Sequence, residues 1–148
     1  MRRVVLAGWV CASLMGCGDR PAPASAEEPP AASADSALTA AERVVQAQLD
    51  AYNRRDLETF AATYAHDVRG FDYPDRPLFT GQQELRALYG ALFRAAPELR
   101  ATVLRRVVQG HVVIDHEEVT GTPSGETLRA VVIYEVRDGR IAAVRLIE

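Results

Sequence analysis

The amino-acid sequence predicts an α+β fold over residues 38–148, with three helices followed by a meander of four antiparallel strands. Three observations carry this. Apolar residues in the first half recur at helical spacing behind capping-box signatures. Beyond Pro97 the pattern changes to runs rich in Val, Ile, Thr and Leu. Those runs are divided by Gln109-Gly110, a Gly121-to-Gly125 stretch and Asp138-Gly139, which is the turn chemistry of hairpins.

The chain opens with Met1, Arg2 and Arg3, an apolar stretch from Val4 to Met15, and then Gly16-Cys17. A charged start, a short apolar run and a small residue at the cleavage point are the parts of a secretory signal, expected to be removed. A membrane-spanning helix needs about 20 apolar residues, more than this run supplies. Leu14-Met15-Gly16-Cys17 resembles the lipobox of bacterial lipoproteins, which implies a lipid on Cys17 and anchorage at the periplasmic face of the cell envelope. An ordinary secreted protein cut nearby is the alternative. Gly18 after Cys17, in place of an acid, resembles the pattern of outer-membrane rather than inner-membrane lipoproteins. Residues 1–16 are thus expected to be signal peptide. Residues 17–37, with Pro21, Pro23, Pro29, Pro30, many Ala and Ser and no large apolar side chain, are expected to be a tether that buries too little surface to order itself. Cys11 and Cys17 are the only cysteines. With Cys11 discarded, no disulfide within the chain is expected, and stability must come from the core.

Thr39-Ala40-Ala41-Glu42 is a capping box that starts the first helix, on which Ala41, Val45, Gln48 and Tyr52 form a stripe with Leu49 beside it. Arg54 and Arg55 end it, and Asp56 caps a second helix whose apolar face is Leu57, Phe60, Ala61 and Tyr64. Thr80-Gly81-Gln82-Gln83 reads as the capping box of a third helix bearing Leu85, Leu88, Tyr89, Leu92 and Phe93, stopped by Pro97. The strand runs follow at Leu99 to Val108, His111 to Thr120, Glu126 to Val136 and Arg140 to Ile147. The formal net charge is −3 and no Lys/Arg cluster is present, so a nucleic-acid partner is not expected.

Tyr52-Asn53-Arg54-Arg55-Asp56-Leu57, Tyr64-Ala65-His66-Asp67-Val68, Phe71-Asp72, Phe79-Thr80-Gly81 and Val136-Arg137-Asp138-Gly139-Arg140-Ile141 resemble the landmarks of the nuclear transport factor 2-like (SnoaL-like) superfamily. The resemblance covers the chain from about Val44 onward. It implies a cone-shaped domain, three helices packed in a bent, mainly antiparallel sheet around a pocket, and leaves function open, because the superfamily includes both enzymes and non-catalytic modules.

Similarity to ketosteroid isomerase implies a base at Asp72. The position of that enzyme's oxyanion-hole tyrosine falls on Gln48 and that of its protonated acid on Val132, so two of the three groups are replaced. Such an enzyme keeps a buried carboxylic acid neutral so that it can donate a hydrogen bond. The alternative for Asp72, before Tyr73-Pro74-Asp75, is that it only caps a loop, since Asp forms turns readily. Gln48 is either a pocket donor or paired with backbone. Tyr52, Tyr64 and Tyr89 read as core residues whose hydroxyls reach a wet cavity edge. In Ile114-Asp115-His116-Glu117-Glu118, alternation puts Asp115 and Glu117 on one face and His116 with Glu118 on the other. His116 is an acid/base partner for Asp72 if it faces the pocket, and otherwise a solvated or interface histidine. No HxH or HExxH set accompanies it, so neither metal nor cofactor is expected. Leu128, Ala130, Val132 and Tyr134 share one face of their strand. Val131 and Ile133 then point outward, which predicts a homodimer through the outer sheet face. Two functions stand side by side: an envelope-anchored domain that binds a small, mainly apolar molecule, and an isomerase-like or lyase-like enzyme moving a proton with Asp72 as base.

Overall fold

The computed structural model describes residues 38–148. The expected signal peptide, Cys17 and tether lie outside the described residues. Helix α1 (Ala40–Arg54) begins at the predicted capping box: the Thr39 N–H donates to Glu42 Oε2 at 2.8 Å and the Glu42 N–H to Thr39 Oγ1 at 3.2 Å. It closes on Arg55 in the left-handed conformation, after which Asp56 accepts from the Thr59 N–H and caps α2 (Leu57–Ala62). The strands follow as β1 (Tyr64–Asp72) and β2 (Arg76–Thr80), then α3 (Gly81–Ala95), then β3 (Arg100–Gln109), β4 (Val112–Thr120), β5 (Leu128–Arg137) and β6 (Arg140–Ile147).

Three expectations are corrected here. Two strands, β1 and β2, stand between the second and third helices, so the sheet has six strands in the order β2-β1-β6-β5-β4-β3. Tyr64 opens β1 and does not extend α2. The Thr63 hydroxyl donates back to the Phe60 carbonyl at 2.7 Å, closing a helix too short to persist on its own, and the Ile141 N–H donates to the Thr63 carbonyl at 2.9 Å. The Thr80 box also differs. The Thr80 side chain makes no cap bond; its N–H donates to Glu84 Oε2 at 2.7 Å, and Gln82 spends its amide on the carbonyls of Ala61 and Tyr64. Gly81 at φ 76° turns the chain from β2 straight into α3, a conformation glycine adopts without strain.

β1 runs parallel to β6 and every other neighbouring pair is antiparallel. The sheet is curled and unclosed, with β2 and β3 as its two edges. Helix α1 lies over β3 to β6 and α3 over β1 and β2, giving the cone. Asn53 pins the first contact: its amide donates to the Ala101 carbonyl at 3.0 Å and accepts from the Ala101 N–H at 2.8 Å, so a helix side chain replaces a missing strand partner at the sheet edge. The apolar core is built around Phe60, Val68, Phe79, Leu85, Val113 and Ile141 and runs on into the residues behind the cavity, Leu99, Val132 and Tyr134 among them. Phe79 lies flat against Gly70, where any side chain would collide with its ring.

Candidate functional site

Between α1, α3 and the concave face of the sheet lies a cavity of about 430 Å³. Most of its wall is hydrocarbon, from Leu49, Leu92, Leu99, Val119, Val132 and Leu146. Tyr52, Tyr64, Tyr89 and Tyr134 also line it, and so does Gln48. The exposed residues Pro123, Ser124 and Glu148 mark its mouth. Gly121 sets the start of the mouth loop: it stands at φ 68° and packs so tightly on the Glu98 backbone that no side chain fits.

All six residues expected to line a pocket (Gln48, Tyr52, Tyr64, Tyr89, Val132 and Tyr134) are in the wall, although Tyr64 arrives on a strand. The two residues expected to carry proton chemistry are elsewhere. Asp72 ends β1 beside Leu146, but it is not a lining residue. Its carboxylate is held by Arg76, with Nε at 2.9 Å and Nη2 also donating, and its side chain is one-third exposed. His116 is exposed, paired across the sheet with Arg105 and Val131, because strand alternation turns it to the convex side.

The same alternation brings Glu117 inside. It is 7 % exposed, sits opposite Ala130 of β5, and receives a hydrogen bond from the Tyr134 hydroxyl at 3.3 Å. Burial in this apolar wall pushes the Glu117 carboxyl up to about 7, and the negative charge of Asp115 adds to the rise. The Tyr134 hydrogen bond and the positive charge of Arg106 oppose it. Burial likewise raises all four phenols, Tyr89 to about 12, and holds Tyr52, Tyr64 and Tyr134 well above the usual tyrosine value. They therefore remain protonated and can donate or accept. Gln48 is buried, and among the described residues its Oε1 has no hydrogen-bond partner.

Alternation pairs Glu117 with Asp115 on the strand face opposite His116. Residue type suggested His116; strand phase selects Glu117. The phase was readable, because Val132 and Tyr134 were already assigned to the inner face of β5. What was lacking was the β4–β5 register, which sets Glu117 against Ala130.

Asp115, two residues away, is fully buried and satisfied. Arg106 of β3 clamps it through Nε and Nη2, both at 2.7 Å, and donates its Nη1 to Gln46 Oε1 at 3.1 Å. The bidentate bond to Asp115 raises Arg106 further above its usual value. Among the described residues no group of three His, Cys, Asp or Glu is placed to hold a metal ion.

A curled, unclosed sheet around helices with a pocket in the cone is the nuclear transport factor 2-like fold. Residues 45–144 match the profile of the SnoaL-like domain, and the chain belongs to that family. Solved structures agree on the fold. A cystatin-fold protein of no assigned function from Novosphingobium aromaticivorans superposes with a TM-score of 0.69 at 21% identity, covering 76% of this chain and 100% of its own. A candidate ketosteroid isomerase from Kribbella flavida gives 0.63 at 25% identity, over 73% and 76% of the two chains. A candidate polyketide cyclase from Sinorhizobium meliloti gives 0.62 at 24% identity, over 70% and 93%. No curated protein matches the chain by sequence.

Proposed function

We propose that the domain takes one small, mainly apolar molecule into the cone and presents Glu117 to its polar end as an acid/base group poised near neutrality. One observation carries this: a carboxyl 7 % exposed in a largely hydrocarbon cavity, with a phenol hydroxyl as its hydrogen-bond partner. A buried acid without a cationic partner costs stability, and cavities that keep such a group are where ligands and proton transfer are found. A general acid/base works best when it titrates near the operating pH. The names borne by two of the solved relatives, ketosteroid isomerase and polyketide cyclase, support small-molecule chemistry in this cone. In this reading Glu117 takes the role that the resemblance gave to Asp72, and Gln48 and the tyrosines orient the ligand.

Thermal unfolding against steroids, isoprenoids, polyketides and small carbonyl compounds tests the reading. A ligand at 100 times its dissociation constant stabilises by about 2.7 kcal/mol. The expected result is a shift in the wild-type protein that Glu117→Gln weakens and Asp72→Asn preserves. A cavity-sized hit that ignores Glu117→Gln and responds to Asp72→Asn would move the site to the rim.

Two further elements complete the proposal. The charged start, apolar run and Gly16-Cys17 support export and lipid anchorage at the envelope, which globomycin-sensitive processing and labelling of Cys17 with a palmitate analogue would check. The convex face carries a row of neighbouring apolar side chains, Val107, Ile114 and Ile133, with Val131 and Ile147 on the adjacent row; this supports a second copy of the chain docked there. Light scattering of Ile133→Asp should then give half the wild-type mass.

A further inference from the structure

The cavity has a one-sided polarity. Among the described residues its lining contains two acids, Glu117 in the interior and Glu148 at the mouth, and no Lys, Arg or His. The cation nearest to Glu117 in the electrostatics of the site, Arg106, is not in the wall, and its guanidinium is already divided between Asp115 and Gln46. Gln48 adds an oxygen with no donor. The interior therefore offers carboxylate, amide and phenol oxygens to whatever enters. Around them stand the rings of Tyr52, Tyr64, Tyr89 and Tyr134, whose negative π faces attract a cation.

Resting on the reading of this cavity as the ligand site, we propose that the ligand is a lipophilic amine whose protonated nitrogen lodges between Glu117, the Gln48 oxygen and the tyrosine rings. An ammonium brings two or three N–H donors to acceptors that lack them, and it supplies the counter-charge that burial denies Glu117. An anionic ligand would meet two acids and no cation. A ketone of the same shape can accept from a phenol hydroxyl, but it brings no donor and leaves the Gln48 oxygen unpaired.

Occupancy should then follow the charge on Glu117. The titratable and charged groups around it are Asp115 on its own strand, Arg106 on β3, Tyr134 on β5, Tyr52 on α1, Tyr64 on β1 and Tyr89 on α3. The phenols are raised and stay neutral, and Arg106 and Asp115 lie outside the cavity wall, so Glu117 is the interior lining group that changes charge between pH 6 and 8. A simple alkylamine stays protonated throughout that window.

The test is calorimetric titration of the full-length protein with three probes sharing one naphthyl body: a naphthyl-ethylamine, the matching naphthyl methyl ketone, and naphthoic acid. The amine is expected to bind at least about tenfold tighter than the ketone at pH 8, and the acid weakest. Amine affinity should rise about tenfold from pH 6 to pH 8, in step with ionisation of a carboxyl near 7, while ketone affinity does not rise. Glu117→Gln should bring amine and ketone to parity, its cooperative melting showing that it is folded. Ketone binding that equals or exceeds amine binding at pH 8, or amine binding that is flat across the pH range, overturns the amine assignment and leaves the cavity as a ligand site. If none of the three probes binds, the ligand-site reading fails and the amine with it.

Discussion

Asp115 and Glu117 stand two residues apart on the same face of β4, yet one is bound into the structure and the other faces a cavity. Asp115 is fully buried with both oxygens filled by Arg106. Glu117 is almost as buried, faces hydrocarbon, and has a single phenol bond at 3.3 Å. The strand, the backbone pattern and the side-chain chemistry are alike, so the difference comes from what the neighbouring strand supplies. β3 places Arg106 directly across from Asp115 but, beyond the register shift between Val103 and Arg105, sets the apolar Val103 across from Glu117. A buried carboxyl with a partner is architecture; a buried carboxyl facing a cavity is held ready for something that is not part of the chain.

The largest effect is expected at the satisfied acid. Asp115→Ala leaves Arg106 nearly buried without its partner and should cost about 3–5 kcal/mol in chemical denaturation. A loss below 1 kcal/mol would erase the contrast. Glu117→Gln should act in the opposite direction. Because folding raises Glu117 from 4.5 to about 7, the folded state binds its proton more tightly than the unfolded state does. The group is neutral at no cost below the lower value, and stability is lost as pH rises from 4.5 through about 7. The full gap corresponds to about 3 kcal/mol, so at pH 8 the glutamine variant should melt above wild type by an amount of that order, and near pH 4.5 the two should converge.

Tyr134→Phe sharpens the comparison with a smaller change. It removes the hydrogen bond that holds Glu117 down, which should cost about 1 kcal/mol and move the Glu117 transition further above 7, read directly from the carboxyl infrared band. Asp72→Asn is expected to matter least. Its bond to Arg76 is made at the surface, with the Arg76 side chain 70% exposed, so the change should stay within about 0.5 kcal/mol and leave ligand-induced melting shifts in place.

The α+β class, all three helices, the four strands after Pro97 and the inward face of β5 were legible in the sequence, because capping, turn chemistry and periodicity are written over a few neighbouring residues. Thr39 and Glu42 find each other three residues apart, and Leu128, Ala130, Val132 and Tyr134 share a face by alternation alone. β1 was not legible. Its burial follows no simple alternation, and its partner β6 lies at the far end of the chain, so the helix-like spacing of Phe60 and Tyr64 won by default. The candidate acid was half legible: strand phase put Glu117 opposite His116, but which side was the inside depended on register against β5. Sequence by itself determined the elements and the two-residue rhythm of their faces, which are local. Only the tertiary structure decided that Arg106 meets Asp115 and leaves Glu117 in an apolar cavity, because the environment of a side chain is set by strands distant in the chain, and the environment sets its charge.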